Sequence, residues 1–284
     1  MYPERINRML ITEPNTILLV KPSKHIESLY KGCYTDIYER LKTILEPYHE
    51  VKTLDLPDIW IRDFAPFFTD KKPIPLLYKP PYQSFLKSER VQIECLKYFP
   101  DLPIPLPIRF DGGNLISNNQ GIGIATKKPL ELNPISQDKI DLFMSELFGI
   151  KKMIWLPYET GDRIAHIDGM MQFLDDNTIL INKSNCKELE KCHQILQEIC
   201  PQIKLVDIPY EPTYEKYHGW ESAKGVYINF LQTSKIILVP TYDMPADEVA
   251  LKIIQSHTHK PVIPINATKI AKFGGSIHCL TNGY

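Results

Sequence analysis

The stretch FGGSIHCLTNGY, residues 273–284, places Gly274 and Gly275 just ahead of a His278-Cys279 pair. A thiol becomes a nucleophile when a neighbouring base or positive charge loosens its proton. The two glycines permit close backbone approach or a positive φ immediately before the sulfur. Read as an alternating strand, the run turns His278 and Cys279 to opposite faces, so the base must come from elsewhere. A buried structural thiol is the plain alternative, because free cysteine is among the most buried residue types. The partner that the pattern offers is His166, followed at the second position by Asp168 in AHID. In a strand these two positions share a face, which sets a carboxylate beside a general acid/base. The same pair could supply two metal ligands, but no HExxH or cysteine cluster completes a tetrahedral site, and no metal is expected.

Asp63 in WIRD and Asp111 in FDGGN add carboxylates, and Asn229 in YIN adds an amide. With His166 and Cys279 they recur about once every 50 to 60 residues, the spacing of a repeat array. Carboxylates gathered in an interior repel one another, and each unpaired buried charge costs several kcal/mol. A cation entering among them removes that cost, and a planar guanidinium offers fixed donors that carboxylates engage two at a time. The expected partner is therefore a small cationic guanidinium substrate. Trp60 would give that cation an aromatic face or wall its alkyl chain, at roughly 0.5–2 kcal/mol, or else serve as an ordinary core aromatic. Arg62 and Arg109, beside two of the acidic motifs, read as structural ion-pair partners.

Such a set needs a scaffold that brings distant segments to one axis. NTILLV is a short apolar strand, followed by an amphipathic stretch from about Ser23 to Leu45 and a second strand, VKTLDL. The order recurs along the chain. RFDGGNLISNNQGIGIAT reads as a hairpin turning on Asn-Asn-Gln-Gly, followed by the helix QDKIDLFMSELFG and the strand KMIWLP. AHIDGMMQFLDDNTILIN turns on Asp-Asp-Asn before CKELEKCHQILQEIC and KLVDIPY, and GVYINFLQTSKIILVP turns on Gln-Thr-Ser before PADEVALKIIQSH and PVIPIN. The result is an α/β chain of about five hairpin, helix and strand units, read as a small five-fold α/β propeller whose hairpins line a central channel.

Composition narrows the function classes. Of 284 residues, 43% are hydrophobic and 24% charged, as in ordinary globular proteins. Lys and Arg number 33 against 34 Asp and Glu, so no basic field exists for a phosphate backbone and nucleic acid is not an expected partner. No run approaches the roughly 18 apolar residues of a membrane span and no leader is evident, which gives a cytoplasmic, membrane-free expectation. Six scattered cysteines lack the density of a disulfide scaffold, so reduced thiols are expected. No P-loop, dinucleotide fingerprint or serine elbow is present, and no domain boundary stands out, so residues 1–284 read as one catalytic domain.

WIRDFAPFF, FDGGNLI, HIDGMMQFL, YINF and GGSIHCLT, in that order across roughly residues 60 to 281, resemble the agmatine deiminase and bacterial-type peptidylarginine deiminase family of the pentein superfamily. The resemblance implies a five-fold α/β propeller that hydrolyses a guanidinium to a ureido group and ammonia without metal or organic cofactor. It implies Cys279 as nucleophile, His166 as general acid/base, Asp63 and Asp168 on the guanidinium nitrogens, Asp111 as a supporting carboxylate and Asn229 as an orienting group. Agmatine, converted to N-carbamoylputrescine in polyamine biosynthesis, is the expected substrate, with peptidylarginine or free arginine as alternatives; a homodimer is compatible with the resemblance. An amidinotransferase and a non-catalytic guanidinium-binding protein are the readings from other classes. One departure stands next to the histidine: Ala165 occupies a position where agmatine deiminases usually carry glycine.

Overall fold

The computed structural model describes residues 9–100, 102, 105–183, 186–213, 215–217 and 219–284. The strands are β1 (Thr16–Val20), β2 (Glu50–Leu54), β3 (Leu76–Leu77), β4 (Leu106–Arg109), β5 (Ile116–Ser117), β6 (Ile122–Thr126), β7 (Lys152–Leu156) and β8 (Met171–Asp175). They continue as β9 (Thr178–Lys183), β10 (Lys204–Pro209), β11 (Lys216–Tyr217), β12 (Trp220–Glu221), β13 (Leu231–Gln232), β14 (Ile237–Thr241), β15 (Val262–Asn266) and β16 (Asn282–Gly283).

Among the described residues five small sheets repeat one grammar, with orders β16-β1-β2, β3-β4, β5-β6-β7, β10-β9-β8 and β13-β14-β15, and β11-β12 form a separate ribbon. In three of them the central strand pairs antiparallel on one side and parallel on the other: β1 with β16 and β2, β6 with β5 and β7, β14 with β13 and β15. A parallel neighbour requires a crossover, and here a helix supplies it each time. The crossover helices are Tyr34–Leu45, Gln137–Phe148 and Ala246–Ser256; Phe85–Leu96 joins the parallel pair β3 and β4, and Lys187–Ile199 lies between the neighbours β9 and β10. The expected hairpin, helix and strand order is thus present in three sheets, and β3-β4 keeps only the parallel half of it.

Each helix follows from its apolar spacing. In Tyr34–Leu45 the buried residues are Tyr34, Ile37, Tyr38, Leu41 and Leu45, a stripe at three- and four-residue intervals. Ser84 caps Phe85–Leu96 by accepting the Lys87 N–H, and Gly149 ends Gln137–Phe148 at φ 69°, where a side chain would be strained. The amphipathic stretch expected from Ser23 to Leu45 is two helices, Lys24–Leu29 and Tyr34–Leu45. Lys31 and Gly32, at φ 54° and 72°, break it, because left-handed residues cannot continue a right-handed helix.

The contacts divide the chain into two compact units. The first comprises Asp63–Ile179, residues 186–205 and the described residues before Glu13; the second comprises Glu13–Arg62, residues 180–183 and Val206–Tyr284. In the first, Phe110, Leu115, Ala125, Ile140, Met144, Phe148 and Trp155 form one buried cluster. Full burial of each large member contributes about 1.5–3 kcal/mol, so this core holds the DGGN turn firmly. In the second, strands β1 and β14 are buried, as are the large side chains Tyr34, Tyr227, Tyr242 and Phe230.

The segments carrying the candidate chemistry are not strands. Ile61–Phe64 is a helical turn, Gly112–Asn114 and Ile167–Gly169 are single 3-10 turns, Asn229 lies in an irregular stretch just ahead of β13, and Cys279 lies in a turn. The alternation expected at His166-x-Asp168 and at His278-Cys279 is therefore absent. The glycines interrupt the ladders, and local bonds satisfy the backbone: Met170 N–H donates to Ile167 O and Leu280 N–H to Ser276 O.

Candidate active site

In the first unit four predicted side chains gather, three of them around one glycine. His166 Nδ1 lies 3.5 Å from Asp63 Oδ1 and its Nε2 lies 3.2 Å from Asp111 Oδ2. A Cβ built on Gly113 would stand 2.6 Å from His166 Nδ1, 2.8 Å from Asp63 Oδ1 and 3.2 Å from Asp168 Oδ2, so all three crowd this bare backbone position. Gly113 uses the proximity by donating its N–H to Asp63 Oδ1 at 3.3 Å. Gly113 is a position that the motif types alone do not single out; the Gly-Gly beside an acid is the available signal.

The electrostatics follow from the crowding. Burial, first of all, raises the Asp63 pKa to about 7; Asp111 and Asp168 add to the rise, while His166 and the Gly113 N–H oppose it. For His166, burial alone would lower the pKa. The charge of Asp63, the hydrogen bond and charge of Asp111, and the charge of Asp168 together outweigh burial and lift it to about 10. The cluster thus holds an imidazolium at neutral pH and retains carboxylate capacity for a second cation. Tyr82 belongs with it and was not anticipated. Burial mainly, then Tyr78, Asp111 and Asp63, push its phenol well above the ordinary value.

β4 delivers Asp111 two residues after Arg109. The Asn133 side chain accepts the Arg109 N–H at 2.9 Å and donates to the Arg109 carbonyl at 3.0 Å, fixing the strand end. The Arg109 guanidinium donates through Nε and Nη2 to the Lys79 carbonyl, at 3.1 and 2.6 Å, so it holds backbone where an ion pair was expected. In the second unit Arg62 reaches the His278 carbonyl and Asn282 Oδ1, both at 3.4 Å.

The second unit carries the thiol. Asn229 accepts the Cys279 N–H and lies 3.4 Å from Cys279 Sγ, while its carbonyl accepts the His278 N–H at 3.0 Å. These contacts bind the predicted amide to the predicted nucleophile. Trp60 covers Gly275, where a Cβ would stand 2.5 Å from the indole Cζ3, and meets Tyr30 edge-on with ring centroids 5.8 Å apart. Gly274 adopts φ 94°, the positive value allowed by the sequence.

The six thiols differ in availability. Cys33, Cys95, Cys192 and Cys200 are buried, whereas Cys186 and Cys279 are part-exposed. Burial lifts the thiols of Cys95 and Cys192 to about 12, which keeps them unreactive. Cys186 bonds the Glu188 carboxylate at 3.0 Å; burial and then that bond raise its pKa. Cys279 is the part-exposed thiol with an amide as neighbour. Among the described residues no group of three His, Cys, Asp or Glu side chains has an arrangement that could hold a metal.

The seven predicted residues therefore form two groups: Asp63, Asp111, His166 and Asp168 in the first unit, and Trp60, Asn229 and Cys279 in the second. Repeated small sheets with helical crossovers, carrying these groups on glycine-rich turns, define an α/β protein of the pentein fold class. Agmatine deiminase of C. jejuni has the same fold, with TM-score 0.83 at 21% identity over 97% of this chain and 96% of that one. Agmatine deiminase of Enterococcus faecalis gives TM-score 0.79 at 16% identity, covering 99% and 96%. The chain belongs to the Porphyromonas-type peptidyl-arginine deiminase family, whose model matches residues 4–284. A curated relative from Pectobacterium atrosepticum, described as "Putative agmatine deiminase", is 24% identical over 70% of this chain, which spans 63% of that relative's length.

Proposed function

We propose that the protein is a cysteine-dependent guanidine deiminase that hydrolyses agmatine to N-carbamoylputrescine and ammonia. The observation that carries the reading is the ring of Asp63, Asp111 and Asp168 around His166, a site of excess negative charge suited to a planar cation. In this scheme Asp63 and Asp168 grip the guanidinium nitrogens and Asp111 supports the imidazolium. Asn229 orients Cys279, and Trp60 lines the alkyl chain. Cys279, as thiolate, adds to the guanidinium carbon. His166 gives its proton to the departing nitrogen, the C–N bond breaks, and ammonia leaves behind an S-alkylthiouronium. Neutral His166 then takes a proton from water as its oxygen bonds the same carbon. Rupture of the C–S bond returns the thiolate; the ureido product sheds its extra proton to ammonia.

The high pKa of His166 supports the first proton transfer, because the donor is charged before substrate arrives. Six cysteines, none of them in a disulfide, support a reducing, cytoplasmic setting for a single catalytic chain. The family's description favours peptidyl-arginine as a second reading, and the relatives described as agmatine deiminases favour the first. A side-by-side assay of ammonia release from agmatine, free arginine and a peptide ending in arginine separates them. Agmatine is expected to give the highest kcat/KM; release from none of the three refutes the deiminase reading.

A further inference from the structure

Both peptide groups flanking His166 are held by one buried pair, Asn114 and Thr126. Asn114 Oδ1 accepts the Ile167 N–H at 3.1 Å, and Thr126 Oγ1 donates to the Ala165 carbonyl at 2.7 Å. The pair is itself locked. Asn114 Nδ2 donates to Thr126 Oγ1 at 3.0 Å, and the Thr126 N–H donates to Asn114 Oδ1 at 3.1 Å. Because Oγ1 also accepts from the Lys128 N–H at 3.3 Å, its single proton is directed to Ala165. Asn114 is 2% exposed and Thr126 0%, so no water competes for these bonds.

The location follows from register. β5 and β6 pair Ile116 with Ile124, and continuing that pairing sets Asn114 opposite Thr126. Side chains thus replace the last rung of the ladder and extend it sideways to the histidine segment. That segment needs restraint, because Ala165 stands at φ 55°, a conformation that disfavours a Cβ. Asn114 also ends the same 3-10 turn that Asp111 precedes, so the carboxylate on His166 Nε2 and the backbone of His166 are referred to one short element.

We infer that Asn114 and Thr126 are positioning residues: they fix the backbone on either side of His166 and so aim its ring between Asp63 and Asp111. The inference deepens the deiminase reading and rests on it for its kinetic arm. Thr126→Val keeps the shape and removes the donor to Ala165, and Thr126→Ser keeps the donor and removes a methyl group. A displaced acid/base is expected to lower kcat by about 10–100-fold, with a smaller change in KM. The pH limb that belongs to His166 moves to lower pH in Thr126→Val, since the ring leaves its carboxylates. Thr126→Ser restores both to near wild type.

Histidine NMR titration of the substrate-free protein, with His166→Gln to assign the resonance, supplies an arm independent of turnover. The His166 midpoint is expected to fall in Thr126→Val and to stay in Thr126→Ser. Wild-type protein that releases no ammonia refutes the deiminase reading, and the titration alone then decides the positioning role. An active Thr126→Val enzyme with unchanged kcat and an unchanged His166 midpoint overturns the inference, as does equal damage in both variants.

Discussion

Alanine at position 113 is the smallest change that tests the carboxylate and histidine cluster. Ordinary van der Waals contact begins near 3.4 Å, whereas the added Cβ would meet His166 Nδ1 at 2.6 Å, so the ring must retreat by about 0.8 Å or the turn must shift as far. Asp63 Oδ1, at 2.8 Å from the same point, has to move as well. The φ of Gly113 is not in the positive range, so the backbone itself tolerates alanine. Overpacking typically costs about 1–3 kcal/mol of stability. A misplacement near 1 Å at a reacting group costs about 100-fold in rate. Gly113→Ala is therefore expected to fold, with a modestly lower Tm, and to lose about two decades of kcat/KM in ammonia release from agmatine. The matched control is Gly169→Ala, where no atom lies within 4 Å of the added carbon and little loss is expected. Gly113→Ala with kcat/KM within about twofold of wild type, at unchanged Tm, would refute the convergence of these groups on the reacting carbon.

The two outer carboxylates should separate in their effects. Removing one partner of a buried charge pair costs about 2–5 kcal/mol, so Asp63→Asn and Asp168→Asn should each lower kcat/KM by roughly 30-fold or more in steady-state assays. Asp168 shares the short turn of His166 and its loss should depress kcat as well, whereas Asp63→Asn should act chiefly through productive binding. The substrate-free protein should also become less stable as pH rises. Asp63, raised from 3.8 to about 7, favours the protonated folded form, a contribution full below 3.8 and lost as pH climbs through 7. His166, raised from 6.5 to about 10, contributes stability that is full below 6.5 and lost through 10. Thermal unfolding followed across that range should show a falling Tm, shallower in the Asp63→Asn, His166→Gln double variant; equal slopes would contradict the shifts.

The repeat was legible because its signal is periodic. Apolar spacing marks the crossover helices, and Asn118 through Gly121 and Asp175 through Asn177 announce turns through residue types that favour them. Asn118 Oδ1 indeed closes its turn on the Ile122 N–H at 2.9 Å. Asp63, Asp111 and His166, with Asp168 two positions on, were legible as a set because polar residues recurring once per repeat have few reasons to do so in a core. Their backbone conformation was not legible. Whether Gly112-Gly113 continues a strand or coils into a 3-10 turn depends on bonds to residues far away in sequence, which local propensity does not register. The same holds for Asn114 and Thr126, which read as ordinary hairpin residues until the loop at Ala165 is placed against them. Tyr82 was hidden in a proline-rich connector, KPPY, whose composition speaks only of extension.

Covalent catalysis by Cys279 is the centre of the account, and intact-mass spectrometry of enzyme quenched during turnover of agmatine tests it most directly. Wild-type protein should gain the mass of the substrate less that of ammonia, located on Cys279 by peptide mapping. His166→Gln should block its hydrolysis or its formation, and Cys279→Ala should show neither adduct nor ammonia. Ammonia release by Cys279→Ala at the wild-type rate, or an adduct mapped to Cys186, would contradict it.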